Sequence, residues 1–306
     1  MFEEFIRKLK SEEKFITLET TPNRSASLQK LVEKIEKSGV VENIDGFSTT
    51  DSPLAKMKYS SLFSAVKIQN RFQKPVLATV SMRDKNKIAL QSDLLGANDF
   101  DIRTILALTG DSAKISDQPN TTGVFEGDST LLLDIVNCFN TGIDFAGKPF
   151  AEGEKPKEIY PFTVVNSSAR NSKTLLKKMV KKIEHSTVGI ISQPIFNREQ
   201  AQNLLQIFES AKEKCGCPNP TAQLVFGLFP LTRFRTAQFL ASHVPGIDVP
   251  QNWLDSLRIA SQNSEEEEYR VGMDMSRELY RDILEIHPKI HMMTANRFEV
   301  AKEVLT

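Results

Sequence analysis

The 306-residue chain has only three cysteines, four histidines and one tryptophan. Cys138, Cys215 and Cys217 are too few for a disulfide framework. His185, His243, His287 and His291 form no metal-ligand cluster. No metal is expected, and Cys215-Gly216-Cys217 reads as a loop beyond a helix end. No run is long and apolar enough to span a bilayer. The N-terminus, MFEEFIRKLKSEEKF, is charged and amphipathic, unlike a signal peptide. Neither sign of charge is in excess, with 39 basic and 39 acidic residues, so no global field favours nucleic acid or an anionic membrane. A dinucleotide-binding glycine fingerprint and a phosphate-binding loop with its lysine are also missing. Any nucleotide cofactor must therefore be held by another design. We read the chain as cytoplasmic and reduced, with small-molecule partners.

What is present is an ordinary core-forming composition, 40% hydrophobic and 25% charged, arranged as an alternation. Short β-rich runs end in polar or Gly/Pro residues and are followed by helical patterns, which is the signature of βα units around a parallel sheet. Strand candidates fall at 15–20, 44–49, 75–81, 104–108, 162–166, 188–192, 223–229 and 290–294. Amphipathic helices are expected at 27–38, 59–72, near Leu90, and at 131–139, 173–185 and 298–305. More helix is expected before the last strand, at 253–259 and 267–286. The acidic run 265–268 reads as a solvated helix start. Eight such units predict a single (β/α)8 TIM barrel over 1–306, with a doubly wound open sheet as the alternative. The polar segment 142–160 could be a lid, a partner surface or an insertion.

In a parallel barrel the active site lies at the C-terminal strand ends. The polar residues there are Glu19, Thr50 with Asp51, Ser81 with Asp84, Thr109 with Asp111, Gln193, and Thr294 with Asn296. Glu19 interrupts the β-branched run Ile16-Thr17-Leu18, where a carboxylate is costly unless paired or functional. Such a site raises a carboxyl pKa toward neutrality and suits general acid work. Thr109-Gly110-Asp111 allows a tight turn that projects a fixed negative charge over the mouth.

Taken together, LETTP (18–22), STTDSP (48–53), MRDKN (82–86), LALTGD (106–111), ISQPIFN (191–197), GLFPLTRFRTAQFL (227–240), VPGIDVP (244–250) and HMMTANR (291–297) resemble the methylenetetrahydrofolate reductase family in order and spacing. The resemblance covers nearly the whole chain and matches the catalytic barrel only, without the extra regulatory domain of eukaryotic relatives. It implies a (β/α)8 barrel carrying FAD, which takes electrons from NADH or NADPH and reduces 5,10-methylenetetrahydrofolate to 5-methyltetrahydrofolate, a step of one-carbon metabolism and methionine biosynthesis. By the same resemblance Glu19 assists folate protonation and ring opening, Asp111 lies beside the flavin, contacts the pterin and favours the iminium cation, and Gln193 binds substrate. Thr50, Thr79, Ser81, Thr109, Gly110, Asp111, Asn166 and Lys182 are the expected cofactor-binding positions. The sequence departs from the family at Thr79, where many members have histidine, at Thr109, at His185-Ser186-Thr187 and at Ala169-Arg170. The alternatives are a flavin-free folate-binding or partner-subunit homologue, and a pterin methyltransferase on a similar barrel. The choice of NADH or NADPH, a homo-oligomer and an electron-donor partner protein stay open.

Overall fold

The computed structural model describes residues 1–166, 171–218, 220–244 and 246–306. Eight parallel strands close into a barrel in sequence order: β1 (Phe15–Thr20), β2 (Gly46–Thr49), β3 (Val76–Ser81), β4 (Thr104–Leu108), β5 (Tyr160–Val165), β6 (Gly189–Pro194), β7 (Gln223–Leu228) and β8 (Lys289–Met292). β8 pairs with β1 through Thr17 and His291, which completes the ring. The closed barrel excludes the open sheet. α1 (Phe2–Lys10) precedes β1, and α2 (Gln29–Ser38), α3 (Ser61–Phe72), α4 (Lys87–Asp99), α5 (Ser129–Thr141), α6 (Ser172–Glu184) and α7 (Arg198–Lys214) follow the first six strands in turn. After β7 come α8 (Phe234–His243), α9 (Gln251–Asn263) and α10 (Glu265–Ile286), and α11 (Phe298–Leu305) follows β8. No helix among the described residues is long and apolar enough to cross a membrane.

Alternation along each strand divides the side chains between two cores. Ile16, Leu18, Phe47, Ala78, Ile105, Ile190 and Phe226 face outward and pack with the helices. Phe15, Leu77, Leu106, Phe162, Ile191 and Val225 fill the lower interior, where Phe2, Phe5, Ile6 and Leu9 of α1 join them. The amphipathic N-terminus is thus a plug at the N-terminal end of the barrel. Lys289, 1% exposed, fastens it: its Nζ donates to the carbonyls of Lys8, Ser11 and Glu13 at 2.8, 2.5 and 2.6 Å. These include carbonyls at the end of α1 that the helix itself leaves unpaired. Lys8 also meets Asp45 Oδ1 at 2.5 Å, while Asp45 Oδ2 accepts from Ile16 N.

Several boundaries move from the sequence expectation. Ile44 and Asp45 lie outside β2, because the Asp45 carboxylate accepts the Ile16 N–H that a longer ladder would otherwise pair. β5 begins two residues earlier, and β6 runs on through Gln193 and Pro194, past the expected end at residue 192. The acidic run is not wholly solvated: Glu268 is 7% exposed, meets Arg233 at 2.9 Å and accepts the Phe234 N–H at the start of α8. Segment 142–160 leaves the C-terminus of α5 and leads into the N-terminus of β5, so it lies at the end of the barrel away from the mouth. It is not a lid. It closes locally on the Asp144 turn, and Phe150 packs edge-on against Phe139 at 5.3 Å.

Lys289→Ala removes the buried ammonium that ties three carbonyls of α1 and the segment after it, and we expect a loss of about 1–3 kcal/mol in urea denaturation together with early proteolysis in α1. Wild-type stability with an intact α1 would refute this role.

Candidate functional site

Above the apolar plug the interior turns polar. The two-residue period that points Phe15 inward also points Thr17 and Glu19 inward, and it sets Thr79 and Ser81 above Leu77. His291 stands between β1 and β2, with Nδ1 2.7 Å from Thr17 Oγ1 and Nε2 3.5 Å from Ser48 Oγ. Burial lowers its pKa to about 4, so the imidazole is neutral at pH 7 and can donate through one nitrogen and accept through the other. His291 was not among the candidates from sequence; the signal it gave was a lone polar residue at an inward position of a strand.

Glu19 stands directly above this layer, opposite Ser48 in the β1–β2 register. Its side chain has no hydrogen-bond or ion-pair partner among the described residues, and burial alone pushes the carboxyl up to about 7. Across the barrel, the register of β6 against β7 shifts between Ile191 and Pro194. Ser192 Oγ accepts from Gly227 N at 2.9 Å and donates to Gln193 O at 2.8 Å, holding the irregularity. A Cβ at Gly227 would lie 2.4 Å from Ser192 O, so glycine is what permits the approach. Irregularities of this kind re-aim a side chain beside a site, and here the residue affected is Gln193.

The loops after β2, β3 and β4 are tied by carboxylates. Asp51 Oδ2 accepts from both Ser81 N and Ser81 Oγ at 3.0 Å. Arg83, 3% exposed, grips Asp84 with two bonds of 2.8 and 2.6 Å and donates to Ser52 O. Asp84 foremost, then Asp51 and Asp111, favour its charge against the cost of burial. Asp111 Oδ2 accepts from Leu54 N at 2.6 Å, and Asp117 Oδ1 accepts from Met57 N at 3.0 Å. Between these anchors Ser52, Leu54 and Ala55 have φ of 42, 56 and 54°, in the left-handed region where non-glycine residues are strained. Gly110, at φ 92°, turns the chain tightly against Arg83, where an added Cβ would stand 3.0 Å from Arg83 Cβ.

The remaining expected positions are scattered around this centre. Thr50 Oγ1, just past β2, and Thr294 Oγ1, just past β8, are buried hydroxyls without a hydrogen-bond partner among the described residues. Thr79 is buried in β3. Thr109 is exposed, and its Oγ1 accepts from Ser129 N at the start of α5. Asn166 is exposed at the end of β5, and Ala169-Arg170 lie outside the described residues. Lys182 sits on α6 behind β5, where its Nζ donates to Thr163 Oγ1 at 2.9 Å and Val164 O at 2.5 Å. Burial lowers its pKa to about 8. Beside it is a cavity of about 150 Å³ lined in part by Val164, Asn166, Thr174 and Lys178. In the substituted turn before β6, Ser186 takes φ 60° and His185 Nδ1 lies 2.5 Å from Asp134.

Several residues of the shared motifs turn out to be clasps. Asn296, at φ 63°, accepts from Thr21 N and donates to Thr21 O at 2.8 and 2.7 Å, joining the β8 and β1 loops. Arg297 reaches Thr232 Oγ1 at 2.5 Å, and Asn197 caps α7 through Gln200 N.

The chain is thus a closed (β/α)8 barrel whose C-terminal mouth, where such barrels carry their sites, presents an amide, an aspartate and an acid without a partner among the described residues. The family model for methylenetetrahydrofolate reductase matches residues 4–306, and the chain belongs to that family. Among solved structures it is similar to an uncharacterized protein from Clostridium thermocellum that binds two copies of 5-methyl-5,6,7,8-tetrahydrofolic acid. The TM-score is 0.63 at 11% identity, covering 97% of this chain and 95% of that one. It is also similar to an F420-dependent secondary alcohol dehydrogenase in complex with an F420-acetone adduct, with a TM-score of 0.58 at 9% identity and coverage of 95% and 98%. At these identities the likeness is one of fold. No curated protein matches the sequence.

Glu19 has a definite linkage to stability. Between about pH 4.5 and 7 the folded chain keeps a proton on Glu19 that the unfolded chain has released, so stability falls as pH rises through that window. Relative to wild type, Glu19→Gln should therefore gain about 1–3 kcal/mol between pH 4 and pH 8 in urea denaturation. His291, shifted downward, contributes in the opposite sense but is common to both proteins. A constant difference across that range would show that Glu19 titrates normally.

Proposed function

We propose that the chain reduces 5,10-methylenetetrahydrofolate to 5-methyltetrahydrofolate, using FAD and electrons from NAD(P)H. The observation that carries this reading is Glu19, a carboxyl pushed up to about 7 by burial and without a partner among the described residues. At neutral pH it keeps a substantial protonated fraction for delivery to a ring nitrogen of the folate, which opens the five-membered ring. Asp111 supplies negative charge for the cation that results, and electrostatic stabilisation of this kind is a large term in catalysis. To do so it gives up or shares the Leu54 N–H. The Gln193 amide offers a donor and an acceptor to the edge of the pterin.

The residues present fit a flavin. The orphaned Thr50 hydroxyl can serve its ring edge, with Thr79, Ser81, Thr109, Gly110 and Asp111 on the β3 and β4 side. Asn166 and Lys182 flank the cavity beside β5, where a phosphate group could be received. FAD would supply the hydride; the chain supplies the proton, the counter-charge and the orientation.

A second reading, folate binding without flavin, is favoured by one feature: the Lys182 ammonium is already taken up by Thr163 Oγ1 and Val164 O. The visible absorption spectrum of the purified protein after FAD addition and gel filtration separates the two. Retained flavin that NADH or NADPH bleaches is expected; protein that binds folate but retains no flavin would establish the second reading. With flavin bound, Glu19→Gln should leave flavin reduction by NAD(P)H near wild type and lower folate turnover by at least about 100-fold. Equal losses in both half-reactions would remove Glu19 from its role as acid.

A further inference from the structure

A helix on the outside of a barrel should be apolar toward the strands and polar toward water. α1 and α6 divide their faces strongly in this way, whereas α4 has almost no such contrast. Leu90, Leu94 and Ala97 supply its inward side. Its outward side carries Ile88, Ser92, Leu95 and Asp99, which follow at four- and three-residue steps and so share one face. Gly96 lies beside them, and Phe100 stands at the helix end. Ile88 is 75% exposed, Phe100 56% and Leu95 40%, and Phe63 on the adjacent α3 is 64% exposed. A helix that is apolar on both sides is one that packs on both sides.

Gly96 points the same way. Its φ is not in the left-handed region, and a Cβ built there would meet nothing within 4 Å. Neither conformation nor packing within the chain asks for glycine, which costs about 1 kcal/mol against alanine in a helix interior. What the missing side chain admits is the close approach of a second surface. The charges around the patch narrow down that surface. Most are matched within the chain: Arg71 with Glu36, Lys85 with Asp93, Lys87 with Glu126 and Lys157 with Asp101. Lys67, one turn after Phe63 on α3, and Asp99 on α4 are exposed and have no ion-pair partner among the described residues. The patch is thus flanked by one free charge of each sign, a self-complementary arrangement.

We propose that the α3–α4 face is an isologous dimer interface, covered by the same face of a second copy of this chain. The two α4 helices cross antiparallel about a two-fold axis, which sets Ile88 against the other copy's Phe100 and Ser92 against its Gly96. Lys67 of each copy then meets Asp99 of the other, so the pair is made twice. The four apolar residues expose on the order of 400 Å² per copy, about half of the roughly 800 Å² per partner in a standard interface. That is the share of an apolar centre, with the polar rim supplying the rest. The formal net charge of zero leaves no long-range repulsion between copies.

Sedimentation equilibrium of the wild-type chain and of surface variants tests the interface. Wild type should sediment at twice the 34.4 kDa of one chain. Leu95→Arg and Gly96→Leu, which have room in the single chain, should each raise the dimer dissociation constant at least about 100-fold, with far-ultraviolet circular dichroism unchanged. Lys67→Glu should raise it about tenfold by setting like charges together, and Lys67→Glu/Asp99→Lys should restore it. That rescue separates a contact across the axis from a defect in folding. A monomeric wild type at about 100 μM, above the micromolar range that such interfaces span, overturns the proposal. A dimer indifferent to Leu95→Arg and Gly96→Leu lies on another face and also overturns it. Dissociation by Lys67→Glu that the double variant does not reverse excludes the two-fold pairing and overturns the arrangement.

Discussion

Closure of the parallel sheet is the constraint on which the rest depends. Once β8 pairs with β1, every second residue of every strand must enter a space too narrow for water to fill freely. The lower part of that space is solved with apolar side chains and the α1 plug. The upper part is left polar, first with Thr17, Ser48 and His291, then with Glu19. The Glu19 carboxyl loses much of its hydration there, and no cation among the described residues pairs with it. Its proton is therefore kept to about pH 7, by desolvation alone. The acid is a product of the architecture more than of any particular neighbour.

The loops around the mouth have the opposite character. There the carboxylates are bound, and what they bind is backbone. Asp111 and Asp117 hold a β2 loop with residues Ser52, Leu54 and Ala55 in left-handed conformations, and Arg83 joins the β2, β3 and β4 loops beneath it. Strain of this kind persists only where the surroundings over-determine it. A ligand that takes the Asp111 carboxylate competes with one of these anchors. Binding and loop geometry are consequently coupled, through a bond between one carboxylate and one peptide N–H.

Much of the fold was legible in the sequence, because βα alternation and strand-end polarity are local patterns. All eight strands lie near where β-rich runs end in polar residues, and Glu19 stood out since an acid breaks a β-branched run. The β5 and β6 boundaries were less legible: β6 continues through Gln193-Pro194 because Gly227 and Ser192 permit an irregular register, which is a property of two strands together. The His291 layer and the Lys289 clasp depend on closure and on docking of α1, neither of which a single strand reveals. The left-handed β2 loop was invisible because none of its three strained residues is glycine or asparagine. Burial of Glu268 was hidden for a similar reason, since its partner Arg233 lies 35 positions away in the chain. The sequence also left the 142–160 segment undecided, and its place in the βα order excludes a lid over the mouth.

The most direct measurement of the central claim is an infrared pH titration of the carboxyl C=O stretch, taken as the difference between wild type and Glu19→Gln. The account predicts a protonated band that persists through the ordinary carboxylate range and disappears with a midpoint near pH 7. A band already lost near pH 4.5, the ordinary glutamate value, would mean that the barrel mouth does not hold a neutral acid, and the proposed chemistry would lose its proton donor.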